Sequence, residues 1–447
     1  MSEMLETLTT RLLEAARKAG APAADAVAID QSATGIDIRS GALEQAERAE
    51  GIEVGLRVLI GGRQACVSVS DMSAQSFAMA AERAVAMARE APEDPFAGLA
   101  DPDQLARSWD LAALEMADSS AEPSPAELEA DARAAEAGAL ALSGIVQVEA
   151  SASYSHRAVH LAATNGFSGG YMRTSRSVSA VAFTGEGTGM ERDWAAESRI
   201  FQADLPDPSG VGALAGERAL LRMGARRPRT GAFPVLFDER IASSLIGHLL
   251  QAVNGAAVAR GSGWLRDRLG EQVLPAGLSI IEDQTRPRAT SSRPFDAEGL
   301  ASRRRDIVRD GVLTGWTLDL ATGRKLGMDS TASASRGPMS PPSPATSNVD
   351  LTPGSHSKAD LIAQMGTGLL VTSLIGASIN STTGDYSRGA SGFWVENGQI
   401  AYPVNELTIA GNLRDMLMRI TPANDARPHL STRVPSLLVE GLTLAGS

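Results

Sequence analysis

The chain has 447 residues, too long for one ordinary domain, so two or three are expected. Lys plus Arg number 41 against 53 Asp plus Glu, and the net charge of −12 argues against general binding to nucleic acid or to anionic membranes. One cysteine, Cys66, excludes internal disulfides and Cys-based structural zinc, and five histidines leave few ways to build a metal site.

Aromatics make up only 4% of the chain, so its cores are expected to be aliphatic and Ala-rich. No run approaches the roughly 18 apolar residues of a membrane span. The acidic, amphipathic start Met1–Glu6 does not read as a signal peptide, and a cytoplasmic protein is expected.

Leu5, Leu8, Leu12, Ala16 and Ala19 recur at helical spacing and predict an amphipathic helix ending at Gly20. Ala26–Asp30, Gly35–Arg39 and Gly51–Ile60 read as strands, and Gly61-Gly62 as the tight turn of a hairpin with Arg63–Val69. A second helix is predicted from about Ser73 to Arg89, followed by a Pro- and Asp-rich connection, Ala91–Pro102. Ser124-Pro125-Ala126-Glu127 carries a cap, a proline suited to the first helical position and a capping-box glutamate, so a helix starts there.

Strand signals follow. Asn165-Gly166 reads as a type I′ turn between Ala158–Thr164 and Phe167–Arg173, and Gly185–Gly189 separates two further strands. The composition shifts at Arg226–Gly231, the expected boundary between domains 1–226 and 227–447. Beyond it come a strand (Phe233–Phe237), a helix (about Glu239–Asn254) and Gly-punctuated strand material. Met328–Ser357, packed with Ser, Pro, Thr and Gly, reads as a long exposed loop. No short-period internal repeat is visible. The fold class expected is α+β: an N-terminal α+β domain with antiparallel hairpins and a mainly-β, barrel-like or sandwich C-terminal domain.

The chemical motifs are mostly weak. Gly166-Phe167-Ser168-Gly169-Gly170 matches G-x-S-x-G, but it follows a hairpin turn and leads into strand, whereas a nucleophile elbow needs a strand-to-helix turn. His156 and His160 have zincin spacing but lie in strand context, with Arg157 where the general base should be, so they read as surface histidines. No P-loop or dinucleotide fingerprint is present. The basic run Arg286–Arg309 has acidic neighbours and reads as a solvated or interdomain salt-bridged segment. His248 falls on an apolar helical stripe with Ile241, Leu245, Leu249 and Ala252, the pattern of a packed core histidine.

Several longer strings carry a resemblance. They are Gly51–Val58, Ser292–Gly299, Arg303–Val308 and, most specific, Thr383–Trp394, continuing through Val395–Gly398 to Tyr402–Leu413. Together they resemble the TldD/PmbA family, also called modulator of DNA gyrase or peptidase U62, and within it the PmbA (TldE) branch. The resemblance implies a zinc-dependent peptidase built from two related chains. The TldD-like chain carries H-E-x-x-x-H and a cysteine ligand near its C-terminus; the TldE-like chain shares the fold and lacks the zinc motif. Aligned on that motif, this chain reads Ser243-Ser244-Leu245-Ile246-Gly247-His248, with Ser243 for the first ligand and Ser244 for the base. Residues 422–447 contain no cysteine.

The resemblance therefore implies a non-catalytic subunit of a metallopeptidase complex acting on unfolded peptides. It has no catalytic or metal residues of its own, and zinc is expected in a TldD-like partner. Ser243, Ser244 and His248 are degenerate zinc-motif positions. The loop Asn380–Ser391, with Asn380, Asp385, Tyr386, Arg388 and Ser391, is the candidate for peptide binding or subunit contact, and peptides in such sites are commonly held by strand addition. A stand-alone homodimeric peptide-binding or assembly module is the alternative. A third reading is an unrelated hydrolase using Ser168 or the loop near Asp385. Neither nucleic acid nor a membrane is expected as a partner.

Overall fold

The computed structural model describes residues 2–446; Met1 and Ser447, the outer limits of the two expected domains, lie outside the described residues. Helix α1 (Ser2–Lys18) buries Leu5, Leu8, Leu12 and Ala16, the stripe read from the sequence. Strands β1 (Ala23–Arg39), β2 (Ala42–Ile60) and β3 (Arg63–Val69) then lead to α2 (Ala74–Glu90), capped by the Ser73 side chain. After the short α3 (Leu111–Leu114), the same order returns: α4 (Pro125–Leu140), β4 (Ile145–Ala163), β5 (Ser168–Thr184), β6 (Glu191–Arg199) and α5 (Pro208–Leu221). The predicted capping box at Ser124 and Glu127 is formed.

These six strands make one antiparallel sheet in the order β3-β2-β1-β4-β5-β6. A helix–three strands–helix unit thus occurs twice, and the two copies join where β1 pairs with β4. The duplication spans well over a hundred residues, too long a period to show as a short repeat.

The segments read as two strands, Ala26–Asp30 and Gly35–Arg39, are one strand because it serves two helix layers in succession. Ala26 and Ala28 pack with Leu12 and Ala84 under α1 and α2, while Ile36 and Ile38 pack with Leu128 and Ala132 under α4. The opposite face of β1, with Val27 and Ile29, meets Phe167 and Phe295, so both faces are covered and alternation is lost. In the second copy α4 and α5 approach closely: a Cβ at Gly212 would sit 1.7 Å from the Ala135 carbonyl oxygen.

Turn chemistry differs between the two predicted hairpins. Gly61 and Gly62 have φ of 58° and 75°, both left-handed, as a type I′ turn requires. At Asn165-Gly166 only Gly166 is left-handed (φ 99°), and Ala163 N–H donates to Phe167 O across a three-residue loop. The hairpin is present, but its turn is the type I plus bulge form rather than type I′.

The C-terminal half begins with β7 (Gly231–Phe237), α6 (Glu239–Ala252) and α7 (Gly255–Ala259). Then come β8 (Ile280–Asp283), β9 (Arg304–Arg309), β10 (Val312–Leu313), α8 (Leu320–Leu326), β11 (Ala334–Ser335), β12 (Ser343–Pro344), β13 (Val349–Leu351) and α9 (Lys358–Met365). The chain finishes with β14 (Gly368–Ile379), β15 (Asp385–Glu396), β16 (Gln399–Asn412), α10 (Leu413–Leu417), β17 (Ile420–Pro422), β18 (Thr432–Arg433) and β19 (Leu437–Ala445). Strands β16-β15-β14-β7-β19 close on themselves through a β16–β19 ladder, giving a five-stranded barrel, with a second sheet β10-β9-β8-β13-β18 beside it. The fold is α+β as expected, with a barrel in the C-terminal region. Helix α6 feeds Ala242, Leu245, Ile246, Leu249 and Ala252 into the core shared with the barrel.

One sequence reading is corrected here. Met328–Ser357 is not an exposed loop: Ala332, Ala334, Val349 and Leu351 are buried, as are Ser330, Ser333, Ser347 and Asn348. Its small side chains pack densely, and Asn348 Nδ2 donates to Asp283 O (2.9 Å) and Ser292 Oγ (2.8 Å), although Asn348 Oδ1 is buried without a partner. The basic run carries both alternatives read from the sequence: Arg303, Arg304 and Arg309 are exposed, and Arg288 bridges to Glu115 and Asp204 of the N-terminal half. Arg305 Nε lies 2.7 Å from fully buried Glu282, Arg286 pairs with Asp350, and buried Arg293 donates to the carbonyls of Ala332 and Ala334.

Candidate functional site

Helix α6 is pinned at its start. Asp238 accepts from Arg240 N–H (3.2 Å), Lys358 Nζ lies 3.0 Å from the same carboxylate, and Arg240 reaches Asp193 of β6 at 3.0 Å. Burial opposes ionisation of Asp238, but Lys358 and Arg240 outweigh it and hold its carboxyl below the usual value. This network fixes the rotation of α6 between the barrel and the N-terminal sheet.

One turn further on, Ser243 and Ser244 are half-buried, and the Ser244 hydroxyl is turned back onto its own helix, donating to Ile241 O at 2.7 Å. His248 faces the barrel strand β15, where its ring meets Tyr386 edge-on with centroids 6.0 Å apart. His248 Nε2 and Tyr386 Oη are both buried without a hydrogen-bond partner. Burial, reinforced by the Arg388 guanidinium, pushes the His248 pKa down, and burial raises the Tyr386 phenol to about 12. The imidazole is therefore neutral at neutral pH and sits beside a fixed cation.

That donor set is a poor match for zinc, which takes about three protein ligands in a catalytic site. One imidazole, two hydroxyls and a neighbouring guanidinium do not supply them. Among the described residues, no three His, Cys, Asp or Glu side chains converge as a metal site would need. Cys66, on β3, is half-buried in the other half of the chain, where burial raises its thiol pKa.

The loop 380–391 divides into parts that do different things. Asn380 Oδ1 accepts from the backbone of Thr382 (2.9 Å) and Thr383 (3.2 Å), and Asp385 accepts from Thr383 Oγ1 (2.6 Å) and Asn412 Nδ2 (3.1 Å). The Thr383 and Asn412 bonds hold the Asp385 carboxyl below its usual value. These residues tie a turn shut. Tyr386 points to His248, Arg388 donates to Gly376 O (2.7 Å), and buried Ser391 accepts from Arg222 Nη2 (2.8 Å) of the N-terminal half. The structure thus gathers His248, Tyr386 and Arg388, and leaves Asn380, Asp385 and Ser391 outside that group. Strand β15 pairs with β14 on one side and β16 on the other, so it offers no free edge for strand addition.

His160 is buried rather than on the surface, because its strand is covered by α1: Nδ1 lies 2.9 Å from Thr9 Oγ1 and Nε2 lies 3.4 Å from Ser168 Oγ. Ser168 begins β5 after a hairpin, so the elbow geometry is absent. His156 is half-buried, its Nε2 buried and unpartnered. Sequence reasoning missed a group of arginines between the two halves of the chain (Arg157, Arg173, Arg293 and Arg336): Arg157 was noted only for standing where a general base should be, and Arg293 only as part of the basic run.

The duplicated sheet and the closed barrel define a class of fold already seen in crystals. A protein from Bacteroides thetaiotaomicron described as a modulator of DNA gyrase superposes with a TM-score of 0.91 at 27% identity, covering 99% of this chain and 98% of that one. TldE from Thermococcus kodakarensis shares the fold with a TM-score of 0.84 at 18% identity, covering 98% and 99%. Sequence models of the PmbA/TldA metallopeptidase match residues 24–88 as domain 1, 118–223 as the central domain and 230–446 as the C-terminal domain. The metalloprotease PmbA of Escherichia coli O157:H7 is 38% identical over 418 residues, 92% of this chain and 90% of that protein. The chain belongs to the PmbA/TldD family of metallopeptidases.

Proposed function

We propose that this chain is the non-catalytic, TldE/PmbA-like subunit of a cytoplasmic zinc metallopeptidase that acts on unfolded peptides or small proteins. The zinc and the general base come from a TldD-like partner, and this chain forms part of the wall that admits the peptide. Its two domains are 1–226 and 227–447. Among the described residues, no ladder pairs a strand before residue 226 with one after it, which supports that division.

The observation that carries the reading is the environment of His248. Hydroxyls stand at the two motif positions before it, Ser244 is bonded back to its helix, and Arg388 makes the surroundings cationic. A zinc ion and an attacking water need the opposite field there.

The test is zinc content and peptidase activity of the purified chain, alone and mixed with a TldD-like chain. Metal-free and inert alone, with activity in the mixture beyond that of the partner by itself, is the expected result. Stoichiometric zinc and activity from this chain alone would overturn the reading. Inertness in both conditions, with a stable homodimer that ignores the partner, would favour a peptide-binding or assembly module.

A further inference from the structure

A cavity of about 270 Å³ lies where β1, β4 and β5 of the N-terminal sheet face the segments around Phe295, Arg336 and Thr346. Four guanidinium-bearing residues line it: Arg157, Arg173, Arg293 and Arg336. Arg157 and Arg173 stand directly opposite each other in the β4–β5 register. Like charges in that relation destabilise a sheet. Arg157 is exposed, and no carboxylate among the described residues pairs with it.

The other three arginines are held in place by the protein. Arg173 donates to the carbonyls of Thr290 and Ser292, and burial, with Arg293 and Arg157 nearby, lowers its pKa. Arg293 spends its terminal nitrogens on the carbonyls of Ala334 and Ala332, leaving Nε buried and unpartnered. Arg336 pairs with Asp25, which Arg57 also holds (Nε 2.7 Å), and Arg336 Nη2 is buried without a partner. The one carboxylate in the lining, Asp296, is occupied by backbone N–H groups of Glu298 (2.9 Å), Leu300 (3.0 Å) and Ala334 (3.0 Å). The cavity therefore concentrates positive charge that Asp25, shared between Arg336 and Arg57, and Asp296 offset only in part.

The rest of the wall is apolar. Val27 and Ile29 line it, with the rings of Tyr171 and Phe295 5.6 Å apart. A bare inorganic anion would leave that surface unused. Guanidinium forks match carboxylate geometry, and the volume falls below the roughly 300–1,000 Å³ of drug-sized sites.

We propose that this cavity binds a carboxylate carried on an apolar group: the C-terminal residue of a peptide or a small amphipathic acid. Arg157 and Arg173 take the carboxylate, and Val27, Ile29, Tyr171 and Phe295 take the apolar body. The site belongs to this chain alone and does not depend on the metallopeptidase reading.

The test is calorimetric titration of the full chain with alanyl-phenylalanine, its C-terminal amide, 3-phenylpropionate and inorganic phosphate. The free-acid dipeptide is expected to bind at least tenfold more tightly than the amide and than phosphate. Arg157→Gln is expected to weaken it tenfold or more, and Arg157→Lys to keep part of the affinity. Among the described residues Arg157 has no hydrogen-bond or ion-pair partner, so the Gln variant should fold; its thermal unfolding checks this. Phenylpropionate binding as tightly as the dipeptide would assign the site to small acids, and a tenfold preference for the dipeptide would assign it to peptide ends. Equal binding of acid and amide, phosphate binding as tightly as the dipeptide, or no binding at all would overturn the proposal. So would an Arg157→Gln chain that is more stable and binds unchanged.

Discussion

The rings of His248 on α6 and Tyr386 on β15 meet edge-on at 6.0 Å, and neither His248 Nε2 nor Tyr386 Oη finds a hydrogen-bond partner. A buried hydroxyl without a partner costs roughly 1–3 kcal/mol in desolvation. Tyr386→Phe keeps the ring and removes that cost. The variant is expected to be as stable as the parent or more stable by up to about 3 kcal/mol in urea unfolding. A loss above about 1 kcal/mol would show that the hydroxyl is satisfied, by the neighbouring Arg388 guanidinium or by a trapped water.

The same pair gives a pH signature. Burial and Arg388 depress the His248 pKa in the folded chain. As pH falls below the ordinary histidine value of about 6.5, the unfolded chain takes up this proton first. The stability from keeping the ring neutral is full above that value and is lost as pH falls towards the folded pKa. Stability of His248→Gln should therefore fall less steeply than the parent's between that value and the folded one. His160 and His429 are depressed in the same direction, so part of the slope will remain. Arg388→Gln should raise the His248 titration midpoint in an NMR titration; an unmoved midpoint would assign the shift to burial alone.

What the sequence revealed was local. The capping box at Ser124, the Gly61-Gly62 turn and the apolar stripes of α1 and α6 each depend on residues a few positions apart, and each is present. The burial of Met328–Ser357 was illegible because small polar side chains give no apolar period, and their partners, such as Asp283 for Asn348, are distant in sequence. The facing pair Arg157 and Arg173 was not legible either: counted outward from Asn165-Gly166 as a two-residue turn, Arg157 falls opposite Thr174, and only the three-residue loop of 164–166 sets it opposite Arg173. Arg293 and Arg336 join them only once the two halves of the chain meet.

The contact between α4 and α5 depends on hydrogen-sized side chains. A Cβ at Gly212 would lie 1.7 Å from Ala135 O, whereas one at Gly210, two residues earlier, meets nothing within 4 Å. Gly212→Ala must push the helices apart and should destabilise by roughly 1–3 kcal/mol or more. Gly210→Ala should be neutral or stabilising by up to about 1 kcal/mol, because alanine is the better helix former. Thermal unfolding of the two variants side by side separates packing from propensity; equal effects would mean that α5 is free to shift.

Glu298 gives the opposite pH dependence from His248. It is buried, and burial, with Asp296 and Asp319 nearby, drives its carboxyl pKa well above the ordinary range, while its Oε2 accepts from Leu320 N–H at 2.8 Å. The folded chain therefore keeps a proton that the unfolded chain releases above about pH 4.3. Above that value each rise in pH favours the unfolded state, until the folded carboxyl itself ionises. Glutamine mimics the protonated acid in shape and hydrogen bonding without titrating. Glu298→Gln should match the parent near pH 4 and gain on it as pH rises, levelling off where the folded carboxyl ionises, in urea unfolding. A difference that does not change with pH, or a variant less stable throughout, would instead mean that Glu298 is ionised in the folded chain with Arg57 as its counter-charge. The buried network around Asp25 would then extend to a second carboxylate.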